Sequence, residues 1–393
     1  MGKRSNGNPS RRGRRGFLRD AGVAAGASVL GVGCAGDDDS SAPDGAIGTP
    51  DAMPEDAMPD DANVDAMRPD AEAVPPGMAA VALSGADIEA AVRSVIGAAG
   101  GLDAIRPGDT VFIKPNAVHP FVVGPGIVTS NPVLEAVIRA VRDYSPGRVI
   151  VGDRSARPFE SAAALTQSGQ QAAAMAAGAD EIYAAPRPAD DPDAWVMLQP
   201  EGYESTWGPV GGLLAMRKIV EANHFINVPV LKDHRGAVFS LSLKNLIGAV
   251  GDDTRDRMHY VSQMPEQLSQ DIVILNKMFQ PTLNILDARG ALINGGPEGT
   301  DADAVRASPE LVLASRDRVA LDAVGVALLK LHISRTTIDS PDEAQSFLAG
   351  PIFELPQLRH GITEGLGVMS AEQILLRFDQ VADSDAIEAT LRA

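Results

Sequence analysis

The stretch from residue 227 to residue 259 concentrates side chains that can bind anions or move protons. Its basic, acidic and amide side chains include Lys232, Asp233, His234, Arg235, Lys244, Asn245, Arg257 and His259. They alternate with short runs of Val, Leu and Ile, a pattern that fits neither a hydrophobic core nor a solvated loop. Because imidazole titrates near neutral pH and a buried lysine favours an anionic partner, we expect a functional site here.

The candidate substrate-binding residues are cations and amides that suit a small anion. They are Lys114, Asn116, Lys244, Asn245 and Arg257. Burying a lysine costs free energy unless an anion is near, so several lysines at one crevice suit a carboxylate or a phosphate. One of them could instead be a carbonyl-reactive amine with a lowered pKa. Structural ion pairs with Asp153, Asp287 and Asp317 are the alternative explanation.

The candidate catalytic residues are Lys232, His234 and His259. The two histidines could form a general acid and base pair. Together with Asp153 and Asp287 they could instead hold a divalent metal such as zinc, iron, nickel or manganese. Their spacing matches no recognised short metal motif, and two histidines hydrogen-bonded at a loop–sheet junction would need no function. The cofactor is therefore left open, with a divalent metal as one option.

Apolar strands are expected to place these side chains together. Buried strands are predicted to end directly before Lys114, Gly152-Asp153, Lys232 and Asp287, and strands alternate with helices from about residue 78. This alternation predicts an α/β fold with a mostly parallel sheet and helices on both faces, as one domain or two intimately joined lobes. Because sites in such sheets lie beyond the carboxyl ends of the strands, a shared crevice is expected.

The individual elements follow from the apolar periodicity. The predicted strands cover residues 79–83, 110–113, 148–151, 224–228, 282–286 and 310–313. The predicted helices cover residues 86–100, 131–144, an alanine-rich segment up to 178, and 318–331. Asn131 is expected to be an N-cap with Pro132 in the first helical position, and a capped helix is expected over residues 371–376.

In these segments the chain resembles the DUF362 proteins, which are bacterial and archaeal domains of unknown function. The resembling motifs lie at residues 113–116, 151–153, 227–234, 241–248, 257–259, 285–287, 295–297 and 314–322. Asp233 stands where the family typically has threonine. Some relatives carry a ferredoxin-like iron–sulfur module, but this chain has one cysteine, so we expect no iron–sulfur cluster. The resemblance leaves the reaction open.

Residues 1–33 have the pattern of a twin-arginine signal peptide. Arg14-Arg15 precedes an apolar stretch of small residues that is too short to span a bilayer. Such signals are read by a bacterial export machinery, so we expect a periplasmic or cell-surface protein. Cys34 ends the stretch in a lipobox-like context, and its lipidation would anchor the chain in the membrane. Cleavage without lipidation is the alternative.

The remaining chain is acidic. Residues 34–77 hold 12 acidic residues and one basic residue, and we predict a disordered tether rich in Asp, Ala, Met and Pro. An α/β domain is expected over residues 78–334, and residues 335–393 are predicted to be a helical extension packed on it. The chain has a formal net charge of −18 and no basic surface is visible, so no nucleic-acid partner is expected.

Three functions are compatible with these features. The leading prediction is an exported enzyme that acts on a small anionic substrate in a Lys/His/Asp-lined crevice, with or without a metal. The first alternative is a non-catalytic cell-envelope lipoprotein that binds a ligand, metal or cofactor. The second is an interaction protein whose crevice residues only stabilise the fold. No P-loop, dinucleotide fingerprint or Gly-x-Ser-x-Gly elbow points to other chemistry.

Overall fold

A computed structural model describes most of the chain beyond the predicted tether. The described residues are 74–75, 77–120, 124–199, 212–260 and 264–393. They belong to one structural unit that spans residues 60–393. The predicted signal peptide, Cys34 and nearly all of the predicted tether lie outside the described residues. Among the described helices, none has both the length and the apolar character that crossing a bilayer requires.

Strands and helices alternate along the described chain. The strands are β1 Ala79–Ser84, β2 Thr110–Lys114, β3 Arg148–Asp153, β4 Glu181–Ala184, β5 Trp195–Leu198, β6 Leu213–Met216, β7 His224–Asn227, β8 Val230–His234, β9 Val238–Ser240, β10 Leu283–Asn294, β11 Val305–Ala307, β12 Leu311–Ser315 and β13 Ile374–Asp379. The helices are α1 Ile88–Ala98, α2 Asn131–Arg142, α3 Ser161–Gln167, α4 Gln170–Ala176, α5 Arg217–Val220, α6 Ser242–Asn245, α7 Asp252–Tyr260, α8 Glu266–Asn276, α9 Arg318–Ser334, α10 Glu343–Leu348, α11 Pro356–Thr363 and α12 Ser384–Arg392. Each of the six predicted strands overlaps an observed one.

One large sheet organises the described chain. Its strand order is β13-β1-β12-β10-β7-β2-β3-β4, with β8 and β11 paired to β10 and β9 paired to β8. Pairing is parallel from β10 through β7, β2 and β3 to β4, and also between β8 and β10. It is antiparallel where β12 meets β1 and β10. The predicted α/β fold with a mostly parallel sheet is confirmed.

Strand β2 shows that helices cover both faces of the sheet. Val111 and Ile113 pack in one apolar cluster with residues of α1 and α2. Phe112, which points to the opposite face, packs in another cluster with residues of α8. All three side chains are fully buried. Because both faces of β2 are buried, its residues form a continuous apolar run, and that run predicted a buried strand here.

Two helix boundaries differ from the prediction. Ser130 is the N-cap of α2 and Asn131 is its first residue; the Asn131 amide donates to the Ser168 carbonyl instead of capping. The alanine-rich segment is two helices, α3 and α4, because Gly169 adopts a left-handed conformation with φ of 80° between them. Residues that accept this conformation without strain commonly end helices.

The helix predicted over residues 371–376 is wrong. Residues Ala371–Gln373 form one 3-10 turn, and strand β13 begins at Ile374. Strand β13 pairs in parallel with β1 over its whole length. Edge pairing on the sheet satisfies this backbone, and tertiary contact overrides the local helical pattern. The C-terminal extension therefore contributes a strand as well as helices.

We predict that Asp317→Ala lowers stability more than Asp87→Ala does. Asp317 caps α9 by accepting from the Ala320 amide at 2.8 Å, and it also accepts from the Val368 amide at 2.8 Å. Asp87 caps α1 through a single exposed bond to the Ala90 amide. Losing a cap costs about 0.5–2 kcal/mol, and Asp317→Ala also leaves a second amide without its acceptor. Denaturant unfolding of both variants checks this order, and equal losses would contradict it.

Candidate functional site

A cavity of about 370 Å³ lies at the carboxyl ends of β2 and β3 and beside β8. Its volume falls in the range of about 300–1,000 Å³ that is typical of small-molecule sites. The predicted residues that line it are Lys114, Asn116, Asp153, Lys232, His234, Lys244, Asn245 and His259. The structure thus brings together eight side chains from five separate segments of the sequence.

Lys114 and Asp153 form a buried ion pair at the ends of β2 and β3. Lys114 Nζ lies 2.6 Å from Asp153 Oδ1, and Asp153 Oδ2 accepts from the Ala117 amide at 2.8 Å. A Cβ atom on Gly248 would overlap both Asp153 Oδ1 and Lys114 Nζ, so only glycine fits over the pair. For Lys114, a structural ion pair is therefore the interaction that the geometry shows.

Lys232 is buried without a carboxylate in contact among the described residues. Its Nζ donates to Ile127 O at 2.8 Å, and to Pro297 O and Asn116 Oδ1 at 3.3 Å. These three oxygens match the three hydrogens of the ammonium group. Burial lowers the pKa of Lys232 to about 8 despite nearby acidic residues. Lys232 is a fixed cation whose charge is not cancelled by a direct ion pair.

A chain of asparagine amides runs from Lys232 across the ends of the strands. Asn116 Nδ2 donates to Asn245 Oδ1 at 3.0 Å, and Asn245 Nδ2 donates to Asn227 Oδ1 at 2.8 Å. Asn227 Nδ2 donates to Asn284 Oδ1 at 3.0 Å, and Asn284 donates to a carbonyl of β12. Asn227 and Asn284 were not predicted as site residues. The sequence feature that could have identified them is a polar asparagine within each of two otherwise apolar strands.

Helix α6 carries Lys244 and Asn245, and two longer helices hold it in place. The Asp322 carboxylate of α9 accepts from the Ser242 amide at 2.8 Å and from the Leu243 amide at 3.0 Å. Asn276 of α8 donates to Leu243 O at 2.8 Å. Burial raises the pKa of Asp322 to about 7. Because α6 has a single turn, these contacts from α8 and α9 set where Lys244 lies.

Lys244 and His259 form a pair in the cavity. Lys244 Nζ lies 3.4 Å from His259 Nε2, and His259 Nδ1 lies 2.7 Å from the Arg255 carbonyl oxygen. Nδ1 must carry the proton to bond a carbonyl, so the Nε2 lone pair faces Lys244. Burial, and then the charges of Arg255 and Lys232, lower the pKa of Lys244 to about 7. Burial and Lys244 lower the pKa of His259 to about 3.

In His234 the two ring nitrogens have the opposite hydrogen-bonding roles to those in His259. Its Nδ1 accepts from the Gly236 and Ala237 amides, each at 3.1 Å. The neutral ring must therefore carry its proton on Nε2, which makes that atom a hydrogen-bond donor. Burial, followed by the charge of Lys244, holds the pKa of His234 well below its ordinary value. The site thus contains one neutral imidazole that donates and one that accepts.

Arginines complete the lining of the cavity. Arg255 Nη1 donates to Arg154 O at 2.9 Å and to Ser155 O at 2.6 Å, and burial lowers the pKa of Arg255 to about 10. The other lining arginines have carboxylate partners: Arg154 with Asp252, Arg157 with Asp256, and Arg235 with Asp301 and Glu298. The substrate-binding residues predicted from the sequence included Arg257 but not Arg255. It lies one helical turn from His259 on α7, so both reach the same face.

Arg257 and Asp287 do not line the cavity. Arg257 is two residues from both Arg255 and His259 on α7, so it points away from their face. Asp287 lies within the long strand β10, and its carboxylate accepts from the Ser130 amide at 2.7 Å and the Arg289 amide at 3.1 Å. Asp287 stabilises the segment that leads into α2.

The predicted metal set is therefore not assembled. Asp153 is paired with Lys114, Asp287 lies outside the cavity, and His234 uses Nδ1 for backbone amides. Among the described residues, no group of three or more His, Cys, Asp or Glu side chains is arranged to hold a metal ion. The donor set that the structure presents, which is mostly lysine and arginine, suits an anion.

A protein-family model matches the part of the chain that forms the cavity. The family model for DUF362, described as a domain of unknown function, matches residues 111–327, a range that includes every residue lining the cavity. The thylakoid-associated protein sll1697 of Synechocystis is 27% identical over 246 residues, which is 62% of this chain and 70% of that protein.

Two solved structures are similar to part of the chain. One is the lactate racemase apoprotein from Thermoanaerobacterium thermosaccharolyticum, with a TM-score of 0.37 and 13% identity over 60% of this chain. The other is a protein from Thermotoga maritima, with a TM-score of 0.37 and 11% identity over 59% of this chain. The chain covers 54% and 55% of their lengths, about half of each.

We predict that Lys244→Met raises stability at about pH 6. The folded-state pKa of Lys244 is lowered to about 7 from an ordinary 10.5. The cost of burying its charge is therefore fully present below about pH 7, and disappears as pH rises to the unfolded pKa. Removing the amine should add on the order of 1–3 kcal/mol to the free energy of unfolding at about pH 6, and little at about pH 10. Denaturant unfolding at both pH values measures this difference.

Lys114→Met is the matched comparison, because it removes a buried lysine that has a carboxylate partner. It leaves Asp153 unpaired, and it should lower the free energy of unfolding by about 3–5 kcal/mol. A loss of stability in both variants would contradict the contrast between a paired and an unpaired lysine.

Proposed function

This chain belongs to the DUF362 family, whose description assigns no reaction, and on that premise we propose that it is an enzyme acting on a small anionic substrate. The substrate carries a carboxylate or a phosphate and binds in the cavity between Lys232, Lys244 and Arg255. His234 and His259 supply one hydrogen-bond donor and one proton acceptor beside it.

The observation that carries this proposal is a set of buried cations that contact no carboxylate within the described part of the chain. Lys232, Lys244 and Arg255 each expose at most 8% of their surface. Among the described residues, their hydrogen bonds go to carbonyl, amide or imidazole atoms, and none forms an ion pair with a carboxylate. A buried charge costs several kcal/mol when it is not compensated. A bound anion would provide the missing negative charge.

The two neutral imidazoles favour a catalytic role over non-catalytic binding of the anion. The His259 lone pair can accept a hydrogen bond from Lys244 or from a bound substrate, while His234 Nε2–H can donate to a substrate oxygen. A donor and an acceptor on opposite tautomers are what general acid–base catalysis needs. A non-catalytic binding protein would need only the cations.

We predict that small carboxylates bind more tightly at about pH 6 than at about pH 9. The anion binds the protonated lysines, and Lys244 and Lys232 lose their protons near pH 7 and pH 8. Affinity should therefore fall as pH rises through this range, on the order of tenfold per pH unit for each proton lost. Calorimetric titration of the full chain with pyruvate and with acetate, which stay ionised throughout, measures the effect.

Two variants and one control define the site of binding. Lys232→Met and Lys244→Met should each weaken pyruvate binding on the order of tenfold or more. Lys330→Met is the control, because Lys330 is a partly buried lysine on α9 that donates to Gly350 O and does not line the cavity. Affinity that is independent of pH, or equal in all three variants, would refute the proposal. A ligand that binds tightly but is recovered unchanged would support the non-catalytic alternative.

We also propose that the chain is exported by the twin-arginine route and anchored through Cys34. The support is the Arg14-Arg15 pattern, the apolar stretch to residue 33 and the cysteine that follows it. The acidic segment after Cys34 would then separate the α/β domain from the membrane surface.

Replacing Arg14 and Arg15 with lysine should retain the chain in the cytoplasm of a bacterial host, because the export receptor reads the arginine pair. Cys34→Ser should instead leave export intact and release the chain from the membrane fraction. Cell fractionation with radiolabelled fatty acid distinguishes the two variants. Fatty-acid label that persists in Cys34→Ser, or export that persists without the arginines, would contradict this assignment.

A further inference from the structure

The three lysines of the cavity differ in how many of their ammonium hydrogens are already used. Lys114 is bound to Asp153 Oδ1 at 2.6 Å and to Pro115 O at 3.3 Å. Lys232 donates to three oxygens, which accounts for all of its hydrogens. Lys244 has one hydrogen-bond contact among the described residues, to His259 Nε2. Lys244 is therefore the lysine with capacity left for a ligand.

The surroundings of Lys244 also favour its neutral form. Burial disfavours a charged Lys244 most strongly, the positive charges of Arg255 and Lys232 add to this effect, and Glu298 opposes it more weakly. The one described hydrogen-bond contact of Lys244 is the neutral His259 ring, which supplies no negative charge to hold the ammonium form. An amine must lose a proton before its lone pair can attack carbon. Lys114 differs because its nitrogen is bound to the Asp153 carboxylate at 2.6 Å and is not free to approach a carbonyl carbon.

We propose that Lys244 is a nucleophile that forms a Schiff base with a small 2-oxo acid. This inference rests on the proposed function, and it names the substrate class. The substrate carboxylate would bind Arg255, with Lys232 adding positive charge. In the described ranges, the bonds that Arg255 donates to backbone carbonyls come from Nη1. The carbonyl oxygen would accept from His234 Nε2–H. A cavity of about 370 Å³ admits a keto acid of a few carbons.

The chemical step balances without an oxidant or a reductant. The neutral amine of Lys244 attacks C2 of the keto acid with its lone pair. A C–N bond forms while the carbonyl π electrons move to oxygen, and one proton of the nitrogen passes to that oxygen to give a hydroxyl. His259 Nε2 takes the second proton of the nitrogen and gives it to the hydroxyl, which leaves as water while the nitrogen lone pair forms the C=N bond. Amine and ketone thus give imine and water.

A 2-oxo acid fits better than a neutral aldehyde or ketone. The amine shares its cavity with two cations that have no carboxylate partner among the described residues, and a carboxylate next to the carbonyl would contact them as C2 meets Lys244. A neutral carbonyl compound would leave both cations uncompensated. The carboxylate therefore supplies binding free energy that positions the reacting carbon.

Reductive trapping tests the proposal on the full chain. The chain is incubated with pyruvate and sodium borohydride, and its mass and its peptides are then measured. We expect one adduct whose mass equals that of pyruvic acid less one oxygen atom, located on Lys244. Lys244→Met should lose the adduct, and Lys330→Met should retain it in full. Acetone, which lacks the carboxylate, should react at least on the order of tenfold more slowly at Lys244.

The outcomes separate this inference from the proposed function. If pyruvate binds in the calorimeter but no adduct forms on Lys244, the Schiff base is refuted and the anion site stands. An adduct spread over Lys114, Lys232 and surface lysines, or an equal rate with acetone, also refutes it. If no carboxylate binds at all, the anion site itself fails. Circular dichroism of Lys244→Met verifies that a lost adduct does not reflect a lost fold.

Discussion

The removal of several cations from water at one end of a parallel sheet is the constraint on which the site depends. Each cation must find oxygen or nitrogen atoms to replace its hydration, and each does so differently. Lys114 uses a carboxylate, Lys232 uses backbone and amide oxygens, and Arg255 uses backbone carbonyls. Only the ion pair of Lys114 neutralises a positive charge directly. The cavity therefore keeps a local positive excess within a chain whose formal net charge is −18.

The fold supplies rigid supports for this arrangement. Strands β2 and β3 end at the ion pair, and helix α6 is fixed from behind by α8 and α9. Helix α9 is buried along most of its length, and it carries the carboxylate that binds the first amides of α6. A one-turn helix has little stability of its own, because its few internal hydrogen bonds do not offset the cost of nucleation. The position of Lys244 is thus a tertiary property of the sheet and its covering helices.

The sequence predicted the fold class and most of the cavity lining because both follow from strand patterns. Apolar runs that end in Lys114, Asp153 and Lys232 meet at one sheet edge once the strands are parallel. Asp287 followed a similar run, but β10 continues beyond it, and strand length is not readable from apolar residues alone. Arg257 was misplaced because helix α7 was not recognised. The segment 371–376 was misassigned because edge pairing with β1 is a long-range contact.

The amide chain that starts at Lys232 has a direction. Asn116, Asn245, Asn227 and Asn284 each turn the oxygen toward the Lys232 side and the NH₂ group away from it. Their side-chain dipoles are therefore aligned head to tail, with the negative end at the ammonium group. Such an array stabilises a cation as a helix C-terminus does, and each bond polarises the next. Unlike a carboxylate, this array carries no net charge. It stabilises Lys232 without neutralising it, so the positive charge of Lys232 still attracts an anion that enters the cavity.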